Sequence, residues 1–244
     1  MPPLTVDVDE RHGGRWTSLR TPTREWLWRN PALAAGRAAV RPGAAFVDAG
    51  GGEECFPTVR GVPDHGDVWT REWCNGAVST GALTLQREIR GSTIAYEITG
   101  PPGSPFVHAV HLLLDVSELA RLEARATTAH LLDRPGGTVP WPSGLDALGP
   151  DDGTAVAAVL PGCAAATVVD GPDALALSWR VLGGAAECSL LLWRNLRGWP
   201  DGAPYRSIGV EPMLGTAADL AGPGTPATIP SGGRLTWELT LSAA

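Results

Sequence analysis

Three features of this 244-residue chain could do chemistry: a glutamate before a proline, a pair of histidines three apart, and an excess of tryptophan. Glu211 lies in Tyr205-Arg206-Ser207-Ile208-Gly209-Val210-Glu211-Pro212-Met213-Leu214-Gly215. Ile208 to Val210 read as a short strand, and Pro212 removes a backbone donor, so the strand is expected to end there. A carboxylate on a rigid strand end can point out of the sheet into a cleft and act as a general base. An isolated Glu-Pro is more often a solvated strand terminus, so the rest of the chain has to decide. His108 and His111 fall in Phe106–Val116, a mostly apolar segment. On a strand their odd spacing sends them to opposite faces, and only one can enter a given cleft. That spacing, with no His-x-x-x-His and no Cys-x-x-Cys, argues against a zinc centre. A lone histidine on an apolar strand is most often a hydrogen-bonded core residue. His65 lies in a turn between Pro63 and a strand rich in tryptophan. Ten tryptophans stand against two tyrosines and three phenylalanines. An indole face stacks on the apolar face of a pyranose ring, and its N–H supplies a donor. Trp69, Trp73, Trp141 and Trp199 lie beside turn motifs, where a cleft wall would be, although core packing is the ordinary use of any one of them.

The elements that must position these residues are short strands. Gly 31 and Pro 22 together make up 53 residues, a turn content that excludes long helices and favours many strands. Leu4–Val8 alternates, His12-Gly13-Gly14 turns, and Trp16–Leu19 and Glu25–Trp28 read as the next two strands, an antiparallel start. Pro31–Pro42 reads as a surface loop. Val78–Ile89 and Thr93–Ile98 form an expected hairpin around Arg90-Gly91. Further strands are expected at Leu119–Ala126, Val156–Leu160, Ala164–Val169, Leu175–Val181 and Cys188–Trp193. Leu131–Gly144 reads as loop, and Thr216–Asp219 has capping-box spacing for one short helix. Leu235–Leu241 is the clearest strand, with Leu235, Trp237, Leu239 and Leu241 on one face. No linker divides two cores, so a single β-sandwich domain over 1–244 is expected.

The totals exclude several classes of function. A formal charge of −7 leaves no basic footprint for nucleic acid or an anionic membrane surface. No apolar run approaches membrane-spanning length, and Met1–Asp7 lacks the charge and apolar core of a signal peptide. Cys55, Cys74, Cys163 and Cys188 are scattered, as reduced core thiols would be, and the expected compartment is the cytoplasm. Gly50-Gly51-Gly52 is followed by no Gly-Lys-Ser/Thr and no helix, so a phosphate-binding loop is not indicated.

Taken together, the motifs resemble the aldose 1-epimerase (galactose mutarotase-like) family. The resemblance rests on Gly13-Gly14-Arg15-Trp16-Thr17-Ser18-Leu19-Arg20, Glu25-Trp26-Leu27-Trp28, and Glu54-Cys55-Phe56-Pro57-Thr58-Val59. It continues through Asp64-His65-Gly66 with Trp69 and Trp73, Phe106–His111, Trp141-Pro142, Trp193–Pro200 and Gly209–Pro212. These pieces, in the right order, cover nearly the whole chain. The resemblance implies an all-β fold, a large antiparallel β-sandwich with few short helices, and a sugar site in a concave cleft. It implies interconversion of the α and β anomers of a free aldose, with Glu211 as base, His111 as acid and His65 as a second donor to the ring oxygen. Asp64, Arg71, Trp141, Asn195 and Trp199 are the residues expected to hold the substrate, a small carbohydrate or related metabolite. Acid and base on opposite sides of the hemiacetal can open the ring without metal or cofactor.

The sequence departs from that pattern in places. It is shorter than typical members, His108 stands where an aromatic or apolar residue is usual, and Leu196-Arg197 replaces a small pair. Arg194, Arg197 and Arg206 around the active-site block make an anionic substrate conceivable. Two other readings stand beside the epimerase: an isomerase or cyclase acting on a non-sugar metabolite, and a non-catalytic carbohydrate-binding protein.

Overall fold

The computed structural model describes residues 3–133 and 137–244. Two large antiparallel sheets pack face to face, as expected for an all-β sandwich. The nine-stranded sheet runs in the order Thr5–Asp9, Arg15–Arg20, Gly52–Cys55, His108–Leu114, Tyr205–Leu214, Cys188–Trp199, Thr154–Pro161, Thr128–Leu131 and Gly137–Pro140. The seven-stranded sheet runs Ala77–Thr80, Leu83–Arg90, Thr93–Thr99, Arg234–Ala243, Asp173–Gly183, Ala165–Asp170 and Arg121–Ala124. Among the described residues, no helix is long and apolar enough to cross a membrane.

Alternation builds the layers. In Arg234–Ala243 the residues Leu235, Trp237, Leu239 and Leu241 are buried, and their neighbours are partly exposed. They meet Val110, Leu112, Leu190, Leu192, Ile208 and Val210 from the larger sheet in one apolar core. His108–Leu114 is buried along its whole length, because loops also cover its other face, which suits a continuous apolar run. His108 and His111 take opposite faces of this strand, as their spacing predicts.

The core also holds a charge. Glu54, fully buried, accepts hydrogen bonds from Trp16 Nε1 (3.0 Å), Arg87 Nη1 (2.7 Å) and Tyr96 Oη (3.1 Å). His108 Nε2 lies 2.9 Å from its other oxygen, and Trp237 Nε1 donates to His108 Nδ1 at 3.2 Å. Since Nδ1 accepts, the proton of a neutral His108 sits on Nε2 and points at Glu54. Burial would raise the Glu54 pKa, but the hydrogen bond from His108 and the charge of Arg87 outweigh it and hold the carboxyl at about 2. His108 is therefore a hydrogen-bonded core histidine.

Several expected elements are corrected. The Glu211 strand does not stop at Pro212 but runs to Leu214, because pairing with Cys188–Trp199 continues through Leu190↔Pro212. On the other side, bridges to the His111 strand are missing between Gly209↔Leu113 and Met213↔Ala109, and Pro212, without an N–H, falls in that gap. Val78–Ile89 is two strands, broken by the turn at Gly81, whose φ is +57°. Glu25–Trp28 makes only isolated bridges. The expected loop 131–144 contains the strand Gly137–Pro140, paired with Thr128–Leu131, while Arg134–Gly136 lie outside the described residues. Thr216–Asp219 forms no helix, because Thr216 Oγ1 accepts from Thr225 N across a turn rather than from its own first turn. Pro31–Pro42 is not wholly a surface loop. It carries Pro31–Leu33 and the short helix Ala34–Ala38, and Arg37 on that helix is buried against Glu53.

Candidate active site

The face of the nine-stranded sheet turned away from the core carries the candidate site. Strand pairing sets Glu53 beside His111, and Glu211 beside Leu191, which in turn pairs Val159. The register between Gly209↔Leu113 and Met213↔Ala109 brings Glu211 opposite His111. One cross-strand row thus holds Glu53, His111, Glu211, Leu191 and Val159 on a single face. An apolar layer surrounds it, formed by Cys55, Val59, Val107, Ala109, Val159, Leu191, Met213 and Ala218.

His111 Nδ1 lies 2.8 Å from Glu211 Oε1. The contact is an ion pair out of line for a hydrogen bond, and neither Glu211 oxygen has a hydrogen-bond donor among the described residues. A fully buried carboxylate without a donor is costly. Room for it comes from Gly209, two residues back on the same face, where a Cβ would stand 2.6 Å from Oε1 and 3.0 Å from Trp193 Cβ. Burial lowers the His111 pKa, but the charge of Glu211, aided by Asp48 and Glu53, outweighs it and raises the imidazolium above its usual range. Glu53 is itself held by Arg37, with Nε at 2.7 Å from Oε1 and Nη2 at 2.9 Å from Oε2, and Arg15 lies 3.4 Å away.

His65 approaches from a turn. Its φ of +60° is a left-handed conformation uncommon for a non-glycine residue. The ring stacks flat on Phe46, with centroids 3.5 Å apart, and stands edge-on to His111 at 5.2 Å. Asp64 Oδ1 is 3.2 Å from His65 Nδ1, again out of line for a hydrogen bond. Burial would raise the Asp64 pKa, but His65 and then Arg60 hold it below the usual carboxylate range. Cys55 Sγ and one ring nitrogen each of His65 and His111 lie within 4.8 Å of one another.

Phe46, Asp64, His65, His111 and Glu211 line a cleft of about 580 Å³. Val59, Leu191, Asp48, His111 and Glu211 form a buried floor, while Arg60, Asp64, Asp133, Trp193 and Trp199 stand around it. Of the residues expected from the sequence, Glu211, His111, His65, Asp64 and Trp199 come together here. Arg71, Trp141 and Asn195 do not line the cleft. Arg71 is bound to Asp67 at 2.8 Å, and Trp141 packs on the main core and donates to Ala124 O. Asn195 is buried beneath the wall. Its Oδ1 accepts from Gly198 N and Trp199 N, and its Nδ2 donates to Trp199 O, so it shapes the bulge that presents Trp199, 43% exposed, to the cleft. The three arginines of the neighbouring block are also spent elsewhere. Arg194 and Arg197 pair with Asp152 and Asp151, and Arg206 donates to Val116, Ser117 and Leu148 carbonyls. Phe46, Asp48, Arg60 and Asp133 were not singled out in the sequence and sit in loops with no local motif to mark them, whereas Trp193 opens the Trp193–Pro200 block but was not expected at the substrate.

This is the fold of the aldose 1-epimerase and galactose mutarotase homologues. The chain matches an inferred aldose 1-epimerase of Escherichia coli K12 with a TM-score of 0.68 at 17% identity, covering 100% of this chain and 96% of that one. It matches the Slr1438 protein of Synechocystis sp. PCC 6803 with a TM-score of 0.70 at 14% identity, over 99% and 92% of the two chains. A GalM/aldose epimerase homologue from C. elegans aligns with a TM-score of 0.60 at 11% identity, over 100% and 96%. The sequence matches no protein-family model and no curated protein.

Proposed function

We propose that the chain is a cofactor-independent aldose 1-epimerase acting as one structural unit, with Glu211 as base and His111 as acid. The observation that carries this is the pairing itself: a buried carboxylate with no hydrogen-bond donor among the described residues touches a buried imidazole at the floor of a cleft of sugar-binding size. In the proposed reaction Glu211 takes the proton of the C1 hydroxyl while the ring oxygen receives one from a histidine. The C1–ring oxygen bond breaks to give the open-chain aldehyde, C1 rotates, and closure on the other carbonyl face reverses both transfers. Since Nδ1 of His111 faces Glu211, Nε2 is the donor left for the ring oxygen, with His65 as the second candidate. Acid and base here touch, rather than standing on opposite sides of the hemiacetal. The raised His111 pKa keeps the donor form present at neutral pH.

Trp193 and Trp199 suit the apolar face of a ring, and Arg60, Asp64 and Asp133 suit hydroxyl groups. With Arg194, Arg197 and Arg206 committed to other partners, a neutral aldose fits better than a sugar phosphate. Binding alone would need neither a matched acid nor a base, which favours catalysis over a carbohydrate-binding role. Proton NMR of anomer exchange across aldoses and their phosphates tests the reading. At least one neutral aldose should exchange faster than in buffer, and exchange at the background rate for all of them would overturn it.

Gly209 gives a second test. Gly209→Ala places a methyl 2.6 Å from Glu211 Oε1, closer than the two can pack, so the carboxylate must shift by a sizeable fraction of an ångström. Misplacement on this scale typically costs up to about a hundredfold in rate. Turnover should fall by roughly that factor while the circular dichroism spectrum keeps its strand signature. Unchanged turnover would mean that the carboxylate position is not critical.

A further inference from the structure

We propose that Cys55, His65 and His111 form a binding site for a thiophilic divalent cation such as Zn²⁺, and that the bound cation stops proton transfer by occupying His111. The three ligand atoms come from separate elements: the strand Gly52–Cys55, the turn at Gly66 and the strand His108–Leu114. Their mutual distances of at most 4.8 Å compare with about 3.3–3.6 Å between ligand atoms around tetrahedral zinc, given Zn–S near 2.3 Å and Zn–N near 2.0–2.1 Å. Contraction by about 1 Å completes the site. The turn residue is the one free to supply it: His65 is held by stacking on Phe46, and its Nδ1 makes no hydrogen bond among the described residues. Cys55 and His111 are fixed diagonally on adjacent paired strands.

The donor set is specific. One thiolate and two imidazoles select zinc, cobalt or copper over magnesium and calcium, which prefer oxygen. A second observation points the same way. Glu211 is fully buried, has no hydrogen-bond donor among the described residues, and lies 2.8 Å from His111 Nδ1. A carboxylate beside one ring nitrogen is the usual device that turns the other nitrogen towards a metal. Binding requires the Cys55 thiol to lose its proton, and His111 to lose the one it carries as imidazolium; both go to solvent, and the cation replaces them without any change of oxidation state. The sulfur is well supplied with neighbours that keep the thiol protonated without metal, since burial, Glu211, Glu53 and Glu54 all push its pKa up. A single ion thus converts the acid of the proposed reaction into a ligand. The binding claim stands apart from the epimerase reading, on which only the inhibition rests.

The test uses the full chain, stripped of metal, titrated calorimetrically with Zn²⁺ and spectroscopically with Co²⁺. One saturable equivalent is expected, and the cobalt form should show a thiolate charge-transfer band. Cys55→Ala should abolish the band, and Cys55→Ala and His65→Gln should each weaken zinc by at least about tenfold. Cys74→Ala, at an exposed thiol, should leave binding unchanged. Cys55→Ala should also retain the zinc-free anomerisation rate while escaping inhibition. No saturable binding, equal binding by Cys55→Ala, or loss in Cys74→Ala instead would overturn the site. Saturable binding with undiminished anomerisation would overturn the inhibition, whereas a chain without anomerisation would leave the calorimetric and spectroscopic result to decide the site alone.

Discussion

Glu211→Gln is expected to lower anomerisation by at least about a hundredfold while changing KM little. General acid–base steps are typically worth on the order of 10²–10⁴ in rate. Glutamine keeps the shape and can still bond the C1 hydroxyl, but it cannot take the proton. The ion pair adds a second signature. His111 owes its raised pKa chiefly to the Glu211 charge acting against burial, so the residual activity of Glu211→Gln should fall off on its alkaline side at lower pH than the native protein, because the protonated acid is lost earlier as pH rises. His111→Asn should cost a similar factor, and the double variant should cost less than the product of the two, because the residues act in one transfer. Undiminished exchange by Glu211→Gln in the NMR assay would remove the central residue of the mechanism.

Removing Glu54 should damage the fold rather than the chemistry. Glu54→Ala strands the Arg87 guanidinium and the His108 and Tyr96 donors in the core, and breaking a buried pair from one side typically costs about 3–5 kcal/mol. For a chain of this size that is roughly a 10 °C fall in Tm. Replacing both Glu54 and Arg87 with apolar residues should cost less than the Glu54 change alone, since no charge is left unpaired. The pH dependence follows from the depressed pKa. Glu54 falls from an ordinary 4.5 to about 2 on folding, so its stabilisation is complete above about pH 4.5 and is lost as pH falls towards 2. That interval corresponds to about 3 kcal/mol. Chemical denaturation at stepped pH should show the loss in the native protein and a flatter profile in Glu54→Gln.

Local pattern made part of this legible. The alternation in Leu235–Leu241 announced a core strand, and the odd spacing of His108 and His111 announced that one would face the core and one the cleft. What depended on a partner across the sheet was not legible. Pro212 looked like a strand end because its missing donor was visible, whereas the unbroken pairing with Leu190 was not. Pro31–Pro42 looked like a surface loop because nothing nearby in sequence ties its Arg37 to Glu53, sixteen residues on. Asn195 was expected at the substrate because it lies in the Trp193–Pro200 block of the family resemblance; its hydrogen bonds instead make it the support of Trp199. Asp48 and Phe46 carry no motif at all and enter the cleft only through the path of their loop.

The two-sided character of the His108–Leu114 and Tyr205–Leu214 strands bears on how such a protein can diverge. His111 and Glu211 look outward, while Val110, Leu112, Ile208 and Val210 look into the sandwich. Substitutions on the outward row can alter reactivity without repacking the interior, and interior substitutions can accumulate without moving the row. On the proposed function, stability and substrate choice are therefore inherited on separate, interleaved sets of positions, and a descendant could acquire a new specificity while its interior stays as it is.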